Sequence, residues 1–374
     1  MVNLPFTRRA GIIAALALTG WPAARAAIGQ RPLEFPRDFG AHRDARTEWW
    51  YITGHASQGT RRFGFQITFF RSRVGTAQAL ESRFAARHLV FAHAAVTDLA
   101  GGRLLHDQRI ARWSGRPTAD DGFGTAFAAD ADTDLRIGTG PQAWSLRRLR
   151  DGYRARAVAD HFSLDIDLIA QQPVLLQGQA GISQKGPRPE QNSHYYSLPQ
   201  LRARGGIGID GQRVAFDTPT REGNAAWLDH EWSDEILPPE AVGWDWSGIN
   251  GFDGAALTVF RLRRADGSAL WAGGSWRASA DAPVRVFAAD EVRFEPLRRW
   301  TSPRTGGVYP LEWRIDTPAG RFSLHALLDD QELDSRASTG AIYWEGLSEL
   351  RDAAGKPVGR GYLELTGYRS ALRL

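Results

Sequence analysis

Apolar and polar residues alternate along much of this chain, and the period is that of a β-strand. Phe63, Phe65, Ile67 and Phe69 are separated by Gly64, Gln66 and Thr68, which predicts a half-buried strand with one apolar face. Runs of the same kind occur at 90–97, 257–263, 322–328 and 362–368. Turn-forming groups fall between them, among them Ser57-Gln58-Gly59, Ala100-Gly101-Gly102, Asp210-Gly211 and Ala354-Gly355. No long segment carries a 3.6-residue apolar repeat, so the pattern predicts an all-β chain of two antiparallel barrels or sandwiches. The Pro238-Pro239 pair is the clearest break in the middle of the chain and sets the expected boundary, with domains at 27–235 and 236–374.

Residues 1–26 are read separately as a cleaved export signal. Arg8-Arg9 precedes a short apolar run, and Ala24-Arg25-Ala26 supplies small residues before a cut at Ala27. The paired arginines permit a twin-arginine route, and Sec export stays open. The expected location is periplasmic or secreted. The apolar run is shorter than the roughly 20 residues that span a bilayer, and no later stretch is long and apolar enough.

Composition removes several function classes. Loss of Arg8, Arg9 and Arg25 with the signal takes the formal charge from +4 to +1. A nearly neutral chain without a clustered basic stripe has no general attraction for nucleic acid. The absence of cysteine excludes disulfides, thiolate chemistry and zinc sites built on Cys.

Chemistry concentrates between Trp227 and Trp246. Four tryptophans, six carboxylates and one histidine fall within these twenty residues, as Trp227-Leu228-Asp229-His230-Glu231-Trp232 and then Trp244-Asp245-Trp246. Indoles favour burial, whereas Asp, His and Glu resist it without partners. The interleaving therefore suggests an aromatic-walled pocket with ionisable groups facing into it, set against a Trp-rich wall whose charges face solvent. A second cluster reads Glu48-Trp49-Trp50-Tyr51, with His55 after it; His93 lies on a strand, and His194 precedes Tyr195-Tyr196. His42, His88, His106, His161 and His325 lack such surroundings and read as ordinary, partly exposed residues.

Familiar signatures are missing. There is no Gly-x-Ser-x-Gly elbow. His230-Glu231 lacks the second His of a zinc helix, and Asp130, Asp132 and Asp134 lack the Gly and Glu of a calcium loop, so no metal is expected. Gly206-Ile207-Gly208-Ile209-Asp210-Gly211 spells a dinucleotide fingerprint but precedes a strand-like run rather than a helix, and reads as a loop.

Taken in order, the segments Glu48-Trp49-Trp50-Tyr51-Ile52-Thr53-Gly54-His55, Phe91-Ala92-His93-Ala94, Tyr195-Tyr196-Ser197-Leu198-Pro199, Trp227 to Trp232, Gly243 to Trp246 and Gly359 to Tyr368 resemble the carotenoid 1,2-hydratase/AttH family. The resemblance spans nearly the whole mature chain. It implies two lipocalin-like β-barrels side by side and an apolar ligand. Relatives of this kind include hydratases of isoprenoid double bonds, a fungal phytoalexin hydratase, Diels-Alder cyclases, and secreted proteins encoded beside ABC exporters. The hydratases' His-x-Trp pair falls on His230 and Trp232. Their further Tyr and Asp have no counterpart in Leu257-Thr258-Val259-Phe260-Arg261.

Hydrating an unactivated alkene needs a proton donor and stabilisation of the cation formed. A carboxyl desolvated among indoles stays protonated to higher pH, which makes Asp229, Glu231 or Asp245 a candidate acid; Trp232, Trp244 and Trp246 could hold the cation. His230 could orient the donor or deprotonate water. Strand geometry divides these residues, since Asp229 and Glu231 share one face while His230 and Trp232 share the other. The acid partnering His230 would then come from Glu48, Asp245 or another strand. The expected ligand-binding residues are Glu48, Trp49, Trp50, His55, His93, Tyr195, Tyr196, Trp227, Trp244 and Trp246. The sequence thus points to an exported, cofactor-free hydratase of an isoprenoid- or lipid-like molecule. The alternative is a non-enzymatic carrier that passes such a ligand to an envelope ABC transport system. An acid joined to His230 in one cavity would favour the enzyme.

Overall fold

A computed structural model describes residues 31–116, 125–217, 223–235 and 237–372. The expected export signal lies outside the described residues. The protein is all-β, as the alternation predicts. Three short 3-10 turns are the helical elements among the described residues, and no helix is long and apolar enough to cross a membrane.

Two large antiparallel sheets make up the fold. The first has 14 strands within Thr47–Gln58 to Ala225–Ser233, and the second has 10 strands within Gly243–Gly251 to Pro357–Leu365. In the first, Thr47–Gln58 pairs with Arg61–Arg73 on one side and Ala225–Ser233 on the other. The two ends of the series, Arg103–Trp113 and Ala126–Ala128, come together, and the sheet rolls into a nearly closed barrel. Closure hides the edge strands that an open sheet would expose.

Period two decides what each face touches. Trp50, Ile52, Phe63, Phe65, Ile67, Phe69 and Leu228 fill the first barrel. Their odd-numbered neighbours Trp49, Tyr51 and Trp227 project outward, where Trp246, Phe260 and Tyr362 of the second sheet pack against them. The second sheet in turn holds its own core, including Ile249, Val259, Trp313, Trp344 and Leu363. The arrangement therefore has two cores with a third apolar layer between the sheets.

This third layer changes the reading of the Phe63–Phe69 strand as half-buried. Gln66 and Thr68, on its polar face, are each only 1% exposed. Alternation identifies the apolar face but does not report whether the other face meets water. Here the second sheet covers it, and Gln66 Nε2 donates to Thr68 Oγ1 at 2.9 Å.

The Asn192–Ile209 strand changes its inward parity at a bulge. Tyr196 and Leu198 face the barrel before it, and Leu201 and Ala203 after it, with a register shift between Leu198 and Leu201. Gln200 has φ +56 there, and its Nε2 reaches Gly251 O at 2.9 Å and Ala255 O at 2.8 Å in the second sheet. The segment 206–209, read above as loop, is instead the end of this strand. Asp210 and Gly211, with φ of +48 and +81, form the tight turn of a hairpin to Gln212–Ala215.

Candidate active site between the sheets

A cavity of about 140 Å³ lies between the sheets. The first sheet contributes Trp49, Tyr51, Phe70 and Phe91 to its wall, and the second contributes Trp244, Trp246, Phe260, Leu262 and Tyr343. Trp246 meets Tyr51 edge-on at 5.2 Å between ring centroids. The indoles crowd so closely that a Cβ at Gly248 would lie 2.5 Å from the Trp246 ring, which explains glycine on that strand. Four carboxyl groups face the cavity, Asp229, Glu231, Glu345 and Glu364, with Lys185 as the one cation among its lining residues.

Asp229 sits at the centre of a hydrogen-bond network. Its Oδ1 accepts from Ser197 Oγ at 2.5 Å and from Trp227 Nε1 at 2.6 Å, and its Oδ2 accepts from the Tyr195 hydroxyl at 2.7 Å. Ser197 connects through Gln177 Nε2, at 2.8 Å, to Thr258 of the second sheet at 2.9 Å. Three donors favour the carboxylate, but burial disfavours charge more strongly and pushes the Asp229 carboxyl up to about 7. Glu231 is placed differently, since Lys185 Nζ lies 2.9 Å from it and Ser193 donates to it. Burial also raises Glu364 to about 7 and lifts Glu345 well above the ordinary carboxyl range.

A group that holds its proton in the fold but loses it on unfolding makes stability fall with pH. Between about pH 4 and 7 the folded Asp229 keeps a proton that the unfolded chain has released, so its contribution declines by about 1.4 kcal/mol per pH unit. Urea unfolding of Asp229→Asn is expected to show a shallower loss of stability over this window, by about one proton. An unchanged slope would show that Asp229 ionises normally.

His230 and Trp232 lie on the other face, inside the first barrel, as the strand period requires. There Glu48, fully buried, accepts from Arg71 Nε at 2.8 Å and pairs with His230 Nε2 at 2.9 Å and His42 Nδ1 at 2.8 Å. The outer nitrogens are held too, His230 Nδ1 by the Tyr196 hydroxyl at 3.0 Å and His42 Nε2 by Asp38 at 3.1 Å. Trp50 stacks on His230 at 4.5 Å and His42 on Trp232 at 3.6 Å. Burial would raise the Glu48 carboxyl, but Arg71 and the two imidazoles outweigh it and hold it well below the usual range. Burial drives His230 down to about 4, which leaves it neutral at pH 7. An acid therefore does join His230, but as a carboxylate without a proton to give. Trp232 and His42, not His230, line a polar opening of about 450 Å³ at the barrel end, among Arg31, Arg37, Arg43 and Arg87.

The remaining expected residues scatter in an orderly way. Asp245 points into the second sheet's core, bonded to Arg261 at 2.6 Å, Arg263 at 3.1 Å and the Tyr368 hydroxyl at 2.8 Å, so it is a structural anion away from the cavity. His93 pins the sheets together through Tyr343 and Ser338, both at 2.8 Å, and burial pushes it down to about 3. His55, buried on the Thr47–Gln58 strand, does not line the cavity. His42 and His88, read as ordinary from sequence, are both buried or nearly so. His42 joins Glu48, and His88 Nδ1 meets Arg71 at 3.2 Å. The sequence reading passed over Asp38, Arg71, Lys185 and Glu364; the one local sign for His42 was its position six residues before Glu48. Among the described residues, the His, Asp and Glu atoms near enough to share a cation are those of His42, Glu48 and His230, within 4.8 Å of one another. In this structure Glu48 already bonds both imidazoles and Arg71.

Comparison with known proteins agrees with this architecture. The AttH-like family profile matches residues 26–368. The crystal structure of an AttH-type protein from Nitrosomonas europaea is 43% identical, with 91% of this chain and 98% of that one covered and a TM-score of 0.80. Kievitone hydratase from Nectria haematococca superposes with a TM-score of 0.67 at 16% identity, over 91% of this chain and 94% of its own. CghA does so with 0.51 at 12%, over 88% and 90%. At these lower identities the likeness is one of fold. No curated protein matches the chain in sequence. The profile match across nearly the whole chain and the identity to the Nitrosomonas protein place the protein in the AttH-like family.

Proposed function

We propose that this protein binds an apolar, isoprenoid- or lipid-like molecule between its two sheets and adds water to a carbon–carbon double bond of it. The observation that carries the reading is Asp229, a buried carboxyl held by Tyr195, Ser197 and Trp227 on the wall of an aromatic cavity, where burial pushes it up to about 7. Such a group is an acid poised near neutrality, where general acid catalysis is most effective. Indole and phenyl faces around it disperse positive charge without offering a nucleophile. A fold that also serves kievitone hydratase is compatible with this chemistry.

The second reading is a carrier that hands an apolar ligand to an envelope ABC transport system. It is favoured by the position of His230, which is packed in the first barrel and does not line the cavity. Export to the periplasm or beyond, proposed from residues 1–26, fits both readings. N-terminal sequencing of protein from cell fractions should find a chain starting near Ala27; a full-length cytosolic product would remove this part.

The two readings separate by turnover. Protein purified from its own envelope is extracted, the retained lipid is identified by mass spectrometry, and the lipid is returned to fresh protein in ¹⁸O-labelled water. Hydration predicts a product heavier by one labelled water, absent with Asp229→Asn. Recovery of unchanged ligand from both proteins supports the carrier.

A further inference from the structure

Two acids stand opposite each other on the second sheet's side of the cavity. Glu345, on Ala341–Arg351, is the register partner of Glu364, on Pro357–Leu365. Like charges directly across two strands repel, and a buried carboxylate without a cation is costly, so packing does not account for the pair. Glu345 is 3% exposed and its Oε1 makes no hydrogen bond of good geometry, the donor beside the carboxyl being the Tyr51 hydroxyl. Lys185, the one cation among the lining residues, is already taken by Glu231. Asp229, Glu345 and Glu364 have no cation of the protein among the lining residues to pair with, so either glutamate needs a positive partner from outside when it ionises.

The same wall already accommodates a cation on its rings. Lys185 Nζ lies 4.7 Å from the Tyr195 ring centroid and 4.4 Å from that of Phe260. Trp244 and Trp246 extend this aromatic surface along the cavity that Glu345 and Glu364 face.

We propose that Glu345 and Glu364 form a cation-recognition site, supplying the counter-charge for a positive centre on an otherwise apolar ligand held against the aromatic wall. The proposal rests on the reading of the inter-sheet cavity as the ligand site. In hydration the positive centre is the carbocation. The Asp229 O–H bond breaks, and the alkene π pair forms the new C–H bond, which leaves the charge on the adjacent carbon. Water oxygen bonds to that carbon, and the proton it sheds returns to the Asp229 carboxylate. The net change is alkene plus water to alcohol, with the glutamate pair unchanged in atoms. A long-chain quaternary ammonium is the stable mimic of that cation.

Protons compete with the cation for the pair. The groups facing it are Asp229, Glu231 and Lys185, with the hydroxyls of Tyr51, Tyr343 and Tyr362, which burial keeps neutral. Burial raises both glutamates, so an ammonium of fixed charge should bind more tightly as pH rises from 5 to 8.

The test measures binding of dodecyltrimethylammonium and dodecanol, below their micelle or solubility limits, by tryptophan fluorescence and calorimetry on the mature chain. At pH 8 the ammonium should bind about tenfold more tightly or better. In the double variant Glu345→Gln with Glu364→Gln this preference should vanish, with dodecanol affinity and melting temperature not reduced. Equal affinity for both probes in the wild type, or a preference that survives in the double variant, overturns the proposal and leaves the cavity reading standing. Failure of both probes to bind overturns the cavity reading and the proposal with it.

Discussion

Arg71→Met is expected to destabilise the protein by about 3–5 kcal/mol, the cost of stranding a buried charge. Arg71 is fully buried. Its guanidinium spans Glu48 at 2.8 Å, the carbonyl oxygens of His42 and Ala45 at 2.8 and 2.9 Å, and His88 at 3.2 Å. Methionine fills the volume but satisfies none of these groups, and Glu48 loses the charge that keeps it ionised. Restoring neutrality by adding Glu48→Leu should recover part of the loss, because the damage lies in the unpaired partner rather than in the missing bond. Urea unfolding of the two single variants and the double variant measures the coupling. A loss below about 1 kcal/mol for Arg71→Met would mean that this network is not buried as described.

Asp229→Asn should have the opposite profile, with activity lost and stability kept. Asparagine is isosteric with the protonated carboxyl. Its Oδ1 can still accept from Ser197 and Trp227, and the Tyr195 hydroxyl, which donates to Oδ2 in the parent, must turn to accept from Nδ2 in the variant. It cannot transfer a proton to an alkene. Turnover should fall by about 10²–10⁴-fold, the usual contribution of a general acid, while ligand affinity changes little. Above pH 7 the variant should be at least as stable as the parent, since it no longer carries a buried group that must either stay protonated or ionise in an apolar setting. Comparable loss of affinity and turnover would place Asp229 in ligand binding instead. For His230→Ala the account predicts mainly destabilisation, because its imidazole is wedged among Glu48, Tyr196, Trp50 and Trp232.

These opposing expectations trace back to one feature that the sequence displays openly. In Asp229-His230-Glu231-Trp232 the strand period assigns Asp229 and Glu231 to one face and His230 and Trp232 to the other, and the structure follows that split. The β class and the strand positions were readable for the same reason, since periodicity is local, whereas the meeting of Trp49 with Trp244 and Trp246 comes from the packing of one sheet on the other. What lies across a face is not local. The Phe63–Phe69 strand gives no sign that its polar side will be covered by a sheet that begins at Gly243, more than 170 positions downstream. Glu345 and Glu364 lie more than 110 residues from Asp229 along the chain, and only the packing of sheet on sheet brings them to one cavity. His42 read as ordinary because its partners Glu48 and His230 converge on it from separate strands. Asp245 read as catalytic because it sits between Trp244 and Trp246. The period that turns both indoles toward the cavity turns Asp245 away from it, toward Arg261 and Arg263.

The most direct test is a crystal structure of residues 27–374 soaked with farnesol, an apolar isoprenoid with several double bonds. The account predicts continuous ligand density between the sheets, against Trp246 and Phe260 and within reach of the Asp229 carboxyl. Density inside the first barrel against His230 and Trp232, with the inter-sheet cavity empty, would contradict it.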